Sequence, residues 1–244
     1  MFTLALLLSF AACTPPQEEP TNPTDETSTF SLPPGADVFY GMIVADMGGD
    51  SLLVTENKTQ GQTGGLYTLS KQYLSKEQDE TLLVPGTFFR LYYGGYIMDS
   101  YPMQFGDPIS FSCTDGKHDF VTPLVDFVLE KVPAGAQWLA LDLTGVRELS
   151  TGEREAIEYL LMCRLIDRCS IVQYDETRLQ AENLLTADGS PDNGAVLRLE
   201  AEEKDTALVG TWLLTDTEQV TTGELKLNIP YYLNCVMVQL MGDK

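Results

Sequence analysis

Residues 138–174 read WLALDLTGVRELSTGEREAIEYLLMCRLIDRCSIVQY, and this stretch indicates a mixed α and β structure. Its first six residues form a short apolar run that is typical of a buried strand. Ser150 and Glu153 then form a capping box, which predicts the start of a helix. A second strand is predicted at 170–174, so the whole stretch predicts a parallel βαβ unit with a right-handed crossover. The apolar stripe of the helix consists of Ala156, Leu160, Leu161 and Leu165.

The rest of the region 115–244 extends this unit into an α+β domain. Thr122 and Pro123 predict a helix start, with threonine as the capping residue and proline at the first helical position. A short helix is predicted at 176–185. Three strand-like runs separated by glycine and acidic residues predict antiparallel hairpins. These runs lie at 195–201, 206–214 and 224–240, the last with a break near Pro230.

The region 35–114 has a different character, because glycine and proline punctuate short strands and no helical period is present. Such a pattern predicts a small antiparallel barrel or sandwich. Gly41, inside the first strand, suits the sharp coil of a barrel strand. The predicted strands lie at 38–47, 51–56, 66–70 and 88–93, and 96–105 continues the last of them.

Four motifs of this region carry a family resemblance. They are 41–44 (GMIV), 49–54 (GDSLLV), 85–86 with 89–93 (PG with FRLYY) and 97–102 (IMDSYP). Together they resemble a small OB-like β-barrel domain that recurs in uncharacterised lipoproteins of Firmicutes and related gut bacteria. The last motif is similar to the family signature Tyr-Asp-Gly-x-Ile-x-Glu-Ser-Tyr-Pro, with Gly94 and Asp99 at the Asp and Glu positions. The resemblance implies an OB-like barrel and a lipoprotein setting, and it implies no activity.

Residues 1–13 read MFTLALLLSFAAC, an apolar run closed by small residues and a cysteine. This pattern looks like a bacterial lipoprotein signal peptide and predicts cleavage before Cys13 and a diacylglycerol on its thiol. The segment 14–34 is rich in proline and acids and predicts a disordered tether. Together they predict an extracytoplasmic protein that is anchored to the cell membrane by lipid. The alternative is a buried N-terminal element with an ordinary cysteine.

The charge of the chain restricts its partners. The formal net charge is −21, from 36 acidic and 15 basic residues. Nucleic-acid binding requires clustered lysine and arginine, so this class of function is excluded. Binding to anionic lipid through a basic face is disfavoured for the same reason. We expect the acidity to serve solubility.

Four cysteines remain besides Cys13, namely Cys113, Cys163, Cys169 and Cys235. An exported protein could use them in disulfides. Cys163 and Cys169 could come close, because one ends the predicted helix and the other opens the next strand. Small core residues are the alternative, which we favour for Cys113 and Cys235. No CxxC spacing is present, so neither a zinc site nor a thioredoxin-type site is predicted.

Few residues qualify as catalytic candidates. His118 is the only histidine, and no Gly-x-Ser-x-Gly elbow accompanies it, so a solvated position in the loop between the two halves is expected. Asp142 ends a predicted parallel strand, where α/β sites tend to lie. The 188–194 segment has oxygen side chains at alternating positions, but Asn193 and Leu199 stand where a calcium loop needs glycine and glutamate. A turn is therefore predicted there, and neither a catalytic residue nor a metal or other cofactor is assigned.

Aromatic residues cluster along the predicted barrel edge. Since consecutive residues of a strand point to opposite faces, at least half of these rings should be core. The remaining rings could stack on sugars, and the candidate ligand-binding residues are Tyr92, Tyr96 and Tyr101. The whole cluster comprises Phe88, Phe89, Tyr92, Tyr93, Tyr96 and Tyr101.

These observations predict a membrane-anchored envelope lipoprotein that acts by binding and not by catalysis. The first alternative is a binder of carbohydrate or peptidoglycan fragments that uses the aromatic barrel. The second is a hydrolase built around Asp142 or His118. The expected partners are the membrane, through the lipid anchor, and a glycan or an envelope protein.

Overall fold

The computed structural model describes residues 33–56, 65–76 and 78–232. These residues form two β-sheets and three α-helices, which confirms the predicted α+β class. They belong to one compact unit. The predicted boundary between residues 114 and 115 lies inside a strand, Pro108–His118, and the division into two domains stays a prediction. The predicted signal peptide, Cys13 and most of the predicted tether lie outside the described residues.

The elements follow one another along the chain with strands first and helices later. In chain order they are β1 (Asp37–Asp46), β2 (Ser51–Glu56), β3 (Leu66–Ser70), β4 (Thr87–Tyr93), β5 (Ile97–Met98), β6 (Met103–Phe105), β7 (Pro108–His118), α1 (Val121–Lys131), β8 (Trp138–Val146), α2 (Thr151–Leu165), β9 (Ser170–Gln173), α3 (Glu176–Ala181), β10 (Gly194–Lys204), β11 (Ala207–Asp216), β12 (Val220–Asn228) and β13 (Tyr231–Tyr232). Short 3-10 helices lie at Lys71–Tyr73 and Glu80–Leu82.

The first sheet has the strand order β13-β7-β4-β1-β2-β3-β6-β5. Its pairs are antiparallel except for β3 and β6, which are parallel. In the described part of the chain this order is that of an open sheet, so the closed OB-like barrel is not confirmed. No strand is predicted from the sequence at β7, although Phe111 and Cys113 are buried and their neighbours Ser110, Ser112 and Thr114 are half-buried.

The first sheet buries side chains on both of its faces. On one face an aromatic cluster forms a core, in which the rings of Phe39 and Phe105 lie 4.8 Å apart. On the other face Met42 and Val44 belong to a second, larger core. Gly41 is required within β1, because a Cβ there would lie 2.6 Å from the ring of Phe39.

The second sheet has the strand order β12-β11-β10-β8-β9. Strands β8 and β9 are parallel and are joined through α2, which confirms the predicted βαβ unit. Strand β10 also runs parallel to β8, on its other side. Strands β10, β11 and β12 are antiparallel neighbours, as predicted. The last predicted strand begins earlier than expected, at Val220 of β12, and its predicted break near Pro230 is confirmed, because β13 follows that residue and joins the first sheet. Its predicted end at residue 240 lies outside the described residues.

The larger core joins both sheets to helices α1 and α2. Its members from the first sheet include Leu53 and Leu66, and those from the second sheet include Leu139 and Leu197. All four side chains are almost completely inaccessible to solvent. Burial of a leucine side chain stabilises the folded state by about 1.5–3 kcal/mol, so this core links the two sheets strongly. All four members of the predicted α2 stripe, Ala156, Leu160, Leu161 and Leu165, are buried in it.

The two long helices begin in different ways. At α2 the Ser150 N–H donates to Glu153 Oε2 at 2.7 Å and the Glu153 N–H donates to Ser150 Oγ at 3.2 Å, which confirms the capping box. The predicted cap at Thr122 is wrong, because α1 begins at Val121. There the buried Asp119 accepts a hydrogen bond from the Thr122 N–H at 2.9 Å and takes the role predicted for the threonine hydroxyl.

The described cysteines are free thiols, and Cys163 and Cys169 therefore form no disulfide with each other. Cys113 is buried, as predicted, and burial raises the pKa of its thiol to about 12. It is consequently an unreactive core residue. Cys169 is also buried, whereas Cys163 is exposed on α2, and Cys235 lies outside the described residues.

The close approach of α2 to the first sheet gives a first prediction. A Cβ at Gly152 would overlap the Thr55 hydroxyl, which donates to the Gly65 carbonyl at 2.9 Å. We expect Gly152→Ala to lower the free energy of unfolding by about 1–3 kcal/mol, because the helix must move or the hydrogen bond must break. Urea denaturation measures this loss. Gly135→Ala is the control, since a Cβ there meets nothing within 4 Å, and an equal loss in both variants would contradict the prediction.

Candidate functional site

Tyr96 is one of the three tyrosines that the sequence predicts to contact a ligand, and its ring is half-exposed. It lies between the Gly94–Gly95 turn and β5, and 50% of its surface is exposed. Its ring lies directly over Gly106, where a Cβ would overlap it. A hydrogen bond with Asp107 raises the pKa of the Tyr96 phenol. The ring is therefore held in one orientation while one side of it stays accessible.

Tyr96 lines an open cleft of about 580 Å³ next to β3, β5 and β6. This volume lies within the range of about 300–1,000 Å³ that small-molecule sites occupy. We call this the tyrosine cleft. Its lining residues are Asp50, Ser51, Thr68, Leu69, Ser70, Gln72, Tyr73, Tyr96, Met98, Gln104, Phe105, Gly106, Asp107 and Pro108.

Asp50 is fixed at the edge of the tyrosine cleft. It lies in the turn between β1 and β2, and its carboxylate accepts hydrogen bonds from the Ser70 hydroxyl and from the Gln72 N–H, the latter at 3.1 Å. The Lys71 N–H donates to the Asp50 carbonyl at 2.9 Å. These bonds connect the turn to the end of β3, so the polar wall of the cleft is part of the folded scaffold.

Tyr101 lies against α2 and outside the tyrosine cleft. It is 62% exposed, and its ring contacts that of Tyr159 at 5.8 Å. Burial of its hydroxyl, together with the carboxylates of Glu155 and Glu158, raises the pKa of the Tyr101 phenol. Tyr101 and Tyr96 therefore lie in different surroundings, although they are only five positions apart in the sequence.

Tyr92 is held in a third environment. It lies on β4 and is half-buried, and the guanidinium of Arg90 lies 5.2 Å from the centre of its ring.

Of the other aromatic residues, Phe89 and Tyr93 are buried in the aromatic core, which confirms the core assignment for them. Hence only Tyr96, of the three candidate tyrosines, lines this cleft, and its neighbours Tyr73, Gln104 and Asp107 are absent from the sequence-based candidates.

His118 does not lie in a solvated loop, which corrects the expectation from the sequence. It is the last residue of β7 and pairs with Tyr231 of β13. Its Nε2 lies 3.2 Å from Glu203 Oε1, and its ring contacts Phe120 at 4.3 Å. The strand extends past residues 115–117 because this end of β7 is paired on both edges, with Gly86 and Thr87 on one side and with β13 on the other.

The prediction that Asp142 ends its strand is wrong, because β8 continues beyond it to Val146. Asp142 has partners that the sequence did not reveal. The Thr144 N–H and hydroxyl both donate to Asp142 Oδ1, at 3.1 and 2.6 Å. Arg198 Nε on β10 lies 3.8 Å from Asp142 Oδ2. Tyr174, directly after β9, accepts a hydrogen bond from Arg198. The register of β8 and β10 brings these residues together, and that register is not readable from local sequence.

The 188–194 segment forms the predicted turn between α3 and β10. The Ser190 N–H donates to Asp188 Oδ1 at 3.3 Å, and the Thr186 N–H donates to the Ser190 carbonyl at 2.8 Å.

Across the described ranges, histidine, cysteine and acidic side chains form no group of three or more that could hold a metal ion.

Comparisons with protein-family models, curated proteins and solved structures give no match. The resemblance to the lipoprotein family therefore stays a prediction. In residues 33–232, as far as they are described, no helix is sufficiently long and apolar to cross a membrane.

The carboxylates beside Tyr101 give a pH-dependent prediction. Burial and the neighbouring Glu155 raise the pKa of Glu158. The stability that the protonated carboxyl contributes is present below the unfolded pKa and is lost as the pH rises through the folded pKa. We therefore expect Glu158→Gln to raise the melting temperature at neutral pH by about 1–3 °C, and to have no effect near pH 4.

Differential scanning calorimetry across this pH range measures the effect. Glu218→Gln, in the exposed turn between β11 and β12, is the control and should leave the melting temperature unchanged. A gain for Glu158→Gln that is equal at neutral and acidic pH would contradict the titration argument.

Proposed function

We propose that this chain is a non-catalytic binding module of the bacterial cell envelope and that it binds carbohydrate in the tyrosine cleft. The observation that carries the proposal is the half-exposed ring of Tyr96 in a cleft whose remaining walls combine polar and apolar groups. A sugar presents an apolar ring face and a rim of hydroxyl groups, and this combination matches an aromatic platform beside hydrogen-bonding side chains.

The polar groups of the cleft suit hydroxyl ligands. Asp50 and Asp107 provide carboxylate acceptors, and Gln72 and Gln104 provide amides that both donate and accept. Among the described residues that line the cleft there is neither a lysine nor an arginine. Phosphate or sulfate groups would meet carboxylates there without a compensating cation, so a neutral saccharide is the ligand class that fits best.

Two hydrogen-bonding patterns support an OB-like barrel as the framework of this cleft. Strands β4, β1, β2 and β3 are hydrogen-bonded in that order, with β4 and β3 as the outer two. Strand β6 pairs with β3, and β7, which follows β6 in the chain, pairs with β4. Gly106 and Asp107, between β6 and β7, therefore connect the two outer strands. The Ser75 N–H donates to the Phe111 carbonyl at 2.8 Å, which adds a contact between the chain after β3 and β7. If β6 and β7 are taken as one bent strand, the sheet closes in the strand order of an OB-fold, and OB-folds bind oligosaccharides.

The location belongs to the same proposal. A lipidated Cys13 followed by the 14–34 tether would hold the binding module at the membrane surface, where cell-wall fragments are abundant. The acidic composition of the chain agrees with a neutral ligand and disfavours a nucleic acid as partner.

A glycan array that includes peptidoglycan fragments tests the ligand class. We expect the chain to bind at least one saccharide, and Tyr96→Ala to weaken that binding by about tenfold or more, because stacking on an aromatic ring contributes on the order of 1–3 kcal/mol. Tyr101→Ala is the matched control, since it removes an exposed tyrosine outside the cleft. An array without binding, or equal losses in both variants, would contradict the proposal.

The anchor has its own test. We expect the full-length protein, expressed in a bacterium, to be recovered with the membrane fraction and to carry a diacylglycerol on Cys13, as mass spectrometry of its N-terminal peptide would show. Cys13→Ala should release the protein from the membrane fraction. An unmodified Cys13 in a cytoplasmic protein would refute the lipid anchor. The carbohydrate proposal would then still be tested separately by the glycan array.

A further inference from the structure

A second cleft lies on the second sheet, away from the tyrosine cleft. Leu139 and Leu141 of β8 face the larger core with α2, whereas Trp138 and Ala140 face a small core with Leu179 of α3. The connections that follow β8 and β9 therefore run on opposite faces of the sheet. In open α/β sheets, ligands bind at the carboxyl ends of strands at this kind of switch point.

Arg198 is held in a fixed position at this switch point. Its guanidinium lies 5.0 Å from the centre of the Tyr174 ring and donates to the Tyr174 hydroxyl, while its Nε lies 3.8 Å from Asp142 Oδ2. The side chain nevertheless remains 46% exposed. Because a guanidinium has five N–H donors, these contacts leave donors for the carboxylate of a ligand.

Glu148 lines the same cleft and has an unsatisfied oxygen. Its Oε2 is buried and has no hydrogen-bond partner in the structure. A buried carboxylate oxygen without a donor has lost its hydration and gained no hydrogen bond in exchange, which is unfavourable. An ammonium or amide group of a ligand would remove this cost, so the oxygen marks a place for a donor.

The cleft has a volume of about 660 Å³, and more acidic than basic side chains line it. Four carboxylates and two guanidinium groups line it: Asp142, Glu148, Glu200, Glu202, Arg147 and Arg198. Asp142 compensates Arg198 locally, so the remaining carboxylates outnumber Arg147. A ligand that carries both a carboxylate and more than one ammonium group complements this distribution of charge.

We propose that this second cleft binds a free diamino acid. The ligand carboxylate pairs with Arg198, and an ammonium group lies against Glu148 with Glu200 and Glu202 near it. Thr211 contributes a hydroxyl on the neighbouring strand β11. This site is independent of the carbohydrate proposal, because it shares no lining residue with the tyrosine cleft.

Isothermal titration calorimetry of the complete chain with L-lysine tests the proposal. We expect L-lysine to bind more tightly than cadaverine, which lacks the carboxylate, and more tightly than L-norleucine, which lacks the side-chain ammonium. Arg198→Gln and Glu148→Gln should each raise the dissociation constant for L-lysine by about tenfold or more. Arg164→Gln is the matched control, since Arg164 is also 46% exposed and ion-paired, on α2.

A second measurement covers the case in which Arg198→Gln fails to fold. In the unmodified protein, L-lysine should shift the backbone amide NMR signals of Thr144 and Thr211 and leave those of Gln72 and Gln104 in the tyrosine cleft unchanged. Absence of L-lysine binding, equal binding of cadaverine, or binding that Glu148→Gln leaves unchanged would overturn the proposal.

Discussion

Burial of β1 on both faces is the constraint on which the remaining structure depends. Phe39 and Ile43 lie in the aromatic core, while Met42 and Val44, on the opposite face, lie in the core shared with the helices and the second sheet. A shift of one residue in the pairing of β1 would exchange these two sets. Because each set of side chains fits its own core, close packing on both faces fixes the register of β1.

This rigid framework determines where binding chemistry can lie. Asp50 is placed by the turn that connects β1 to β2, and Asp142 is placed by β8 and by the residues that follow it. Arg154 on α2 donates to the carbonyls of Leu143 and Val146 and so fixes the chain after Asp142. Burial lowers the pKa of the Arg154 guanidinium. Both clefts are therefore walled by groups whose positions the fold sets in advance.

Local features were predictable from the sequence, and features that depend on distant pairing were not. The Ser150 capping box and the βαβ unit follow from residues within one stretch, and both are confirmed. Strand β7 was missed, because its polar end is a strand through pairing with Thr87 of β4 and with β13, and neither pairing is readable from local sequence. The Arg198 contact with Asp142 was missed for a related reason. Both residues are ordinary charged positions until the parallel register of β8 and β10 sets them side by side.

The pairing of β13 with β7 has a consequence for the order of folding. Tyr231 and Tyr232 complete a sheet whose other strands all lie before residue 119, so the ribosome must make almost the whole described chain before that sheet has all its strands. Until then β7 has a free edge, and contacts so distant in sequence form slowly. Loss of β13 would therefore leave the end of β7, in the middle of the chain, unpaired along one edge.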